Sequence, residues 1–342
     1  MSSPFHRGEK VMANPLKFWF LLLLMWEPLP CCSLITVTPF LTRCTSNRMS
    51  CSGAITSRRS ARSDVGESAY GVGMNQEDMM DSDMLVAVDA KDRPILDQIV
   101  SKKEAHVFSP DSPRGVAHRA FSVFLFNSNG EMLLTKRASS KITFPDVWTN
   151  TCCSHPLHNM IPNEVDEVDA LPEFPGIKHA AIRKLKHELG ISPKDVPHQD
   201  FRFLTRFHYW ASDTLTYGSD APWGEHEIDY CLMIQCPGTI QLDPNPEEVG
   251  EIQWVSADEL RDLMLSSEGS SEQRLWSPWF RGIMERGGFT WWGDLEEALK
   301  EGSKYCNKDI TYFDPPPEHT GSYNLPTHGQ DMGVLKNSKQ EH

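Results

Sequence analysis

Apolar residues recur along this 342-residue chain with two periods. Alternating or near-continuous apolar runs at 118–127 (HRAFSVFLFN), 131–137 (EMLLTKR), 201–211, 225–235 and 251–255 predict strands. A shorter one opens MLVAVDAKDRPI at residue 84 and runs into a polar turn. Ser-Asn-Gly between the first two runs is a hairpin signal. Residues 178–189 carry the 3.6-residue period of an amphipathic helix, with Gly190 as its stop. Ser256 with Glu259 three residues on forms a capping box and predicts a second helix. Strands with interspersed helices and long loops define one mixed α/β (α+β) domain, read here as residues 84–301. The small, polar, acidic stretch 63–82 reads as linker. Residues 302–342, rich in Pro, Gly, Asn and His, read as a disordered tail.

Charge separates the leader from this body. The whole chain carries −14, yet residues 1–63 hold eight Lys/Arg against Glu9 and Glu27, a net +6, which leaves −20 for the rest. So acidic a body is a poor general binder of nucleic acid or anionic membrane, and any anion it binds needs a local basic pocket. Within the leader, LKFWFLLLLMW at 16–26 has the length of a signal-peptide core and basic residues before it; Glu27, Pro28 and Pro30 end it. Residues 36–63 then carry five Arg, many Ser/Thr and no acid, which is transit-peptide composition. Residues 1–35 therefore read as signal-like and 36–83 as transit-like segment and linker. Together they predict delivery to a plastid through the secretory route, with no stable membrane insertion of the mature protein. The alternatives are a membrane anchor at the endoplasmic reticulum or a cytoplasmic protein.

The candidate chemistry begins at TNTCCSHPL, residues 149–157. Cys152 and Cys153 are too close in sequence to bridge without strain, and no CxxC pair accompanies them. In an extended segment they point to opposite sides, so at most one faces a given cavity, and His155 shares the parity of Cys153. Alone, this stretch favours a buried small cysteine beside a turn histidine. WGEHEIDY at 223–230 changes that balance. In a strand, Glu225 and Glu227 project onto one face and His226 onto the other. Two carboxylates side by side in a half-buried strand repel unless a cation lies between them or one holds a proton. With His118 and His155, and His106 as an isolated loop imidazole, the set suits a hard-to-borderline divalent ion.

A third cluster, RKLKHELGI at 183–191, resembles the end of a Nudix box, whose usual form is REUxEExGU with U aliphatic. Arg183, Leu185, Glu188, Gly190 and Ile191 fit; Lys184 and His187 stand where two further acids belong. A helix with one carboxylate left can hold one Mg²⁺ against a diphosphate but is badly equipped to hydrolyse it.

The ordered set AHRAFSVFLFN, KITFP, TNTCCSHP, RFHYWAS, WGEHEIDY and SPWF resembles type I isopentenyl diphosphate isomerase over about residues 84–300. The resemblance implies a Nudix-type mixed β-sheet sandwiched by helices. It also implies interconversion of isopentenyl and dimethylallyl diphosphate through protonation of the alkene and loss of a different proton. It assigns Cys153 and Glu227 as the two acid/base groups, with Tyr209 assisting Glu227 and Trp279 turned toward the cation. His106, His118, His155, Glu225 and Glu227 would surround a divalent metal (Mg²⁺, Mn²⁺ or Zn²⁺). Lys102, Arg137, Lys141 and Lys184 would hold the diphosphate, with Glu188 on a bridging Mg²⁺. The chain is expected to act as a monomer on these diphosphates and not on nucleic acid. Asp146 in KITFPD departs from the family, which usually has Gly there. It puts a carboxylate either near the phosphates or toward solvent. A Nudix diphosphohydrolase and a non-enzymatic metal-binding module remain the alternatives from other classes.

Overall fold

The computed structural model describes residues 70–266 and 274–322, all within the unit spanning Asp64–His342. The leader expectations at 1–63 and the end of the expected tail lie outside the described residues. In chain order the elements are α1 (Gln76–Ser82), β1 (Met84–Val88), β2 (Pro94–Ser101), α2 (Lys102–His106), β3 (His118–Phe126), β4 (Met132–Arg137), β5 (Trp148–Thr149), β6 (Cys152–Ser154), α3 (Pro175–Leu189), β7 (Arg202–Ser212), α4 (Thr214–Tyr217), β8 (Gly224–Gln235), β9 (Val249–Val255), α5 (Ala257–Ser266), α6 (Pro278–Ile283), α7 (Phe289–Gly293), α8 (Leu295–Ala298) and β10 (Ile310–Phe313). Each predicted strand forms within a residue or two of its predicted limits.

The sheet is mixed. Its main path runs β10-β7-β8-β3-β1-β2, and β4, which carries β5 and β9, and β6 also pair into it at β3. β3 and β8 run parallel over nine residue pairs, from His118↔Glu227 to Phe126↔Gln235. β3 is buried along its whole length because both sheet faces are covered, which explains its near-continuous apolar run. Parity sorts the residues. Phe121, Val123 and Leu125 of β3, with Ile228, Tyr230 and Leu232 of β8, join one core with Ile177, Ala181, Leu185 and Leu189 of α3. Phe124 and Phe126, with Cys231 and Met233, join the opposite core against Leu260 of α5 and Phe280 of α6.

Helix α3 opens with Pro175 at its first turn and closes at Gly190, whose φ of 67° lets its N–H return to the Leu185 and Lys186 carbonyls. Each fully buried Leu or Ile on its inner face contributes about 1.5–3 kcal/mol. The predicted capping box of α5 is present: the Ser256 N–H donates to Glu259 Oε2 at 2.8 Å, and the Glu259 N–H returns to Ser256 Oγ at 3.3 Å. No helix among the described residues is long and apolar enough to cross a membrane.

Two expectations are corrected. The stretch 63–82, read as linker, contains α1, closed by an Asn75–Asp78 capping box, with Met79 and Met80 buried. A seven-residue helix anchored by two methionines is too short to overcome its acidic composition as a signal. The expected tail from 302 contributes β10, parallel to β7, with Phe313 and His319 buried. Four strand residues among prolines and asparagines show no usable period. The folded body therefore extends beyond 84–301 on both sides.

Candidate active site and metal centre

Strand β8 presents Glu225, Glu227 and Asp229 on one face, as its alternation predicts; on the other, His226 pairs with His208, Nε2 to Nε2 at 2.9 Å. His118 lies in register with Glu227 from β3, and Tyr209 lies opposite Glu227 from β7. His155 follows β6. His106 is not a loop residue as expected: it ends α2, which Ser101 and Glu104 cap, and the helix seats it fully buried.

These side chains converge. His106 Nε2 is 2.7 Å from Glu225 Oε2, His155 Nε2 is 2.8 Å from Glu227 Oε1, and His118 Nε2 is 3.7 Å from the same oxygen. One ligand atom from each of the five residues lies within 4.8 Å of all the others. Two ring orientations are fixed by backbone: His106 Nδ1 donates to the Lys102 carbonyl at 2.6 Å, and His118 Nδ1 to the Val116 carbonyl at 2.7 Å. A carbonyl only accepts, so the protons sit on Nδ1 and both Nε2 atoms aim lone pairs at the carboxylates. His106 Nε2, His118 Nε2 and Glu225 Oε2 are buried without any hydrogen bond despite the short 2.7 Å approach. Acceptors crowded together in a dry site repel unless a cation or a proton lies between them, and three imidazoles with two carboxylates make a set that could hold a divalent metal. Burial, followed by the neighbouring His118 and His106, drives the His155 pKa well below its ordinary value, the neutral form a metal requires.

Tyr209 donates its hydroxyl to Glu227 Oε2 at 2.5 Å, and burial and the Glu227 charge keep it a phenol. Its ring stacks on Phe313 of β10 at 5.3 Å, so the segment expected to be disordered braces the site. Cys153 pairs with Ser122 of β3, while Cys152 is buried in the α3-side core; both are free thiols. Around Cys153 Sγ, Asn150 Oδ1 accepts at 2.8 Å and the Trp279 indole N–H donates at 2.9 Å. Burial, then the Asp229 carboxyl, push the Cys153 thiol up to about 12. Trp279 thus meets the sulfur with its edge, while its face carries the Arg137 guanidinium, 5.4 Å from the ring centre.

Basic residues gather at the other end. Arg137 is held by the Phe144 and Thr143 carbonyls at 2.9 and 2.7 Å. Lys141 Nζ meets Glu248 Oε2 at 2.5 Å, and Lys184 Nζ lies between Glu188 (3.1 Å) and Glu248 (3.6 Å). Burial brings Lys141 down to about 8 although Glu248 opposes it. For Lys184 burial is outweighed by Glu248 and Glu188, and the net shift is upward. Asp146 adopts φ 57°, a backbone that suits glycine, and its half-exposed carboxylate pairs with Lys136 at 3.5 Å. The solvent-facing alternative is the observed one.

Lys102, Arg137, Lys141, Cys153, His155, Glu188, Tyr209, Glu225, Glu227 and Trp279 all line one cavity. His106 and His118 belong to the metal-capable cluster, and Lys184 adjoins the cavity through its ion pair with the lining residue Glu188. Sequence reasoning missed Glu248 and Asn150. Nothing in EEVGE marks Glu248, and only two buried lysines needing an anion could have revealed it. Asn150 stood inside the motif that drew attention to its neighbours.

A NUDIX domain model matches residues 116–280, which puts the curved mixed sheet and its helices in the Nudix class. The isopentenyl-diphosphate delta-isomerase of Gibberella zeae is 44% identical over 226 residues, 66% of this chain and 81% of that protein. The Schizosaccharomyces pombe isopentenyl-diphosphate delta-isomerase is 42% identical over 224 residues, 64% and 87%. Isopentenyl-diphosphate Delta-isomerase 1, chloroplastic, of Cannabis sativa is 41% identical over 249 residues, 72% and 81%. The chain belongs to the isopentenyl-diphosphate delta-isomerase family.

Proposed function

We propose that Cys153 and Glu227 carry the two proton transfers by which this isomerase interconverts isopentenyl and dimethylallyl diphosphate. The observation that supports this is that a neutral thiol and a phenol-bonded carboxylate line one cavity whose far end is basic. The Cys153 S–H proton adds to the terminal alkene carbon, leaving a thiolate and a tertiary carbocation. Glu227, aided by the Tyr209 hydroxyl, takes a proton from the adjacent CH₂, and that C–H pair becomes the new double bond. Protons exchanged with solvent restore both groups. The buried aromatic wall, Trp279 included, keeps water from the cation.

Lys102, Arg137, Lys141 and Lys184 bind and orient the diphosphate, and Glu188 would hold the Mg²⁺ that accompanies it. A divalent ion at His106, His118, His155, Glu225 and Glu227 would supply the positive charge that lets two buried carboxylates coexist. Lys184 and His187 in place of box acids leave no cluster for hydrolysis. The test is turnover of isopentenyl diphosphate by the full-length chain, followed by NMR, against Cys153→Ala and Glu227→Gln. Loss in both variants with retained fold is the expected outcome; full turnover in either removes that residue's role.

For location, the +6 leader and the chloroplastic relative support plastid delivery. Residues 1–80 fused to a fluorescent reporter should send it to a plastid, and polar replacement of residues 21–24 should leave it in the cytosol.

A further inference from the structure

Asn150 is fully buried in the turn between β5 and β6. Its amide nitrogen donates to the Val123 and Cys152 carbonyls, both at 3.1 Å. Carbonyls cannot donate, so the amide has one possible orientation and its Oδ1 must face Cys153. An amide oxygen only accepts, so the 2.8 Å contact uses the thiol proton. Oδ1 also accepts from the Thr149 hydroxyl at 3.0 Å, and Thr149 Oγ1 in turn accepts from the Ser277 hydroxyl at 2.9 Å. Ser277 is the N-cap of α6, and two residues along that helix Trp279 donates its indole N–H back to Cys153 Sγ at 2.9 Å.

The contacts close a ring: Cys153, Asn150, Thr149, Ser277, the first turn of α6, Trp279, and Cys153 again. Every donor and acceptor in it has a forced direction. The two short contacts of the sulfur, to the Asn150 amide oxygen and from the Trp279 indole, have fixed directions and set its rotamer; Ser122 Oγ at 3.5 Å and Thr149 Oγ1 at 3.6 Å are longer, secondary contacts. We propose that Asn150 is the positioning residue for the Cys153 thiol, and that the Thr149–Ser277 bridge makes the thiol and the Trp279 indole a single rigid unit. This rests on the reading of Cys153 as the proton donor. It adds that the thiol's aim is set from behind, by a neutral amide that touches no substrate. A proton donor displaced by even about 1 Å can lose about a hundredfold in rate.

The experiment pairs kinetics with the S–H stretching band in the infrared, isolated as the difference between the full-length chain and its Cys153→Ala variant. Asn150→Ala should move that band to higher frequency, as a released hydrogen bond does. It should also lower kcat about a hundredfold, with KM within about twofold because no substrate contact is lost. Thr149→Val keeps the amide but cuts the bridge, along with the long 3.6 Å contact of Thr149 Oγ1 to the sulfur. It should broaden the band and lower kcat by up to about tenfold, the rate equivalent of one hydrogen bond. Should Asn150→Ala fail to fold, Thr149→Val alone decides. A wild-type band and wild-type kcat in a folded variant would overturn the proposal and reduce Asn150 to a brace of its turn. If instead Cys153→Ala itself turns over normally, the failure is in the role of Cys153, and a shifted S–H band would still establish the amide's hold on the thiol.

Discussion

The end of the site proposed for proton transfer hangs from the sheet: Glu225 and Glu227 from β8, Tyr209 from β7 and Cys153 from β6, with the metal-cluster residue His118 beside them on β3. The basic end, proposed to bind the diphosphate, is assembled from helix and loop residues instead, Lys102 opening α2, Lys184 on α3 and Lys141 in the loop after β4, with Arg137 closing that strand. Their partners differ as well. At the first end neutral donors and acceptors hold the reacting groups by directed hydrogen bonds, the Tyr209 phenol on the Glu227 carboxylate and the Asn150 amide on the Cys153 thiol. At the second, Lys141 and Lys184 share the carboxylate of Glu248, an ion pairing with which a diphosphate bound as proposed would compete. Strands fix direction, which proton transfer requires. Ion pairs on longer side chains tolerate exchange, which binding and release require.

If that division holds, substitutions at the two ends should separate in kinetics. The largest effect belongs to Cys153→Ala and Glu227→Gln, which should lower kcat by about 10⁴-fold while leaving KM within a few-fold, since general acid–base groups contribute up to that factor. Next, His155→Ala and Glu225→Gln should weaken metal binding by about 10–100-fold, read by elemental analysis after dialysis against a chelator. Unchanged metal content in both would dismantle the five-residue centre. Third, Lys141→Ala should raise KM about tenfold with kcat little changed, the loss of one charged contact. A fall in kcat alone would erase the distinction between the ends.

Lys141 also predicts a pH dependence. Its pKa is brought down from the usual lysine value to about 8, so the ammonium is charged below that pH and neutral above it. Diphosphate capture, and hence kcat/KM, should decline as pH rises through about 8. Lys141→Arg, which stays charged, should move that limb upward. The smallest effect is Cys152→Ala. Its side chain points into the core away from Cys153, so kcat should change by less than about twofold while stability drops by about 1 kcal/mol for the lost sulfur. Reversed behaviour of the two cysteines would show that strand parity had been misassigned.

The same division explains what the sequence made legible. Strand alternation is local, so the shared face of Glu225 and Glu227 and the opposed cysteines could be read from a few residues. The pairing of Lys141 with Glu248, 107 residues apart, leaves no local trace. Glu248 therefore stayed invisible while the lysines were named through family resemblance. His106 was expected in a loop because a five-residue helix carries too few turns to show a period. Helix α1 and strand β10 were missed for the same reason, and β10 matters to the site because Phe313 stacks on Tyr209. Asn150 escaped because its importance lies in where its oxygen points, and that depends on two carbonyls, one of them 27 residues away.

The most direct test of the acid–base assignment is proton NMR of isopentenyl diphosphate incubated in D₂O with the full-length chain and with Cys153→Ala. The parent chain should give dimethylallyl diphosphate with deuterium in a methyl group, and the variant neither product nor deuterium exchange at that carbon. Deuterated product formed by Cys153→Ala at the parent rate would contradict the assignment.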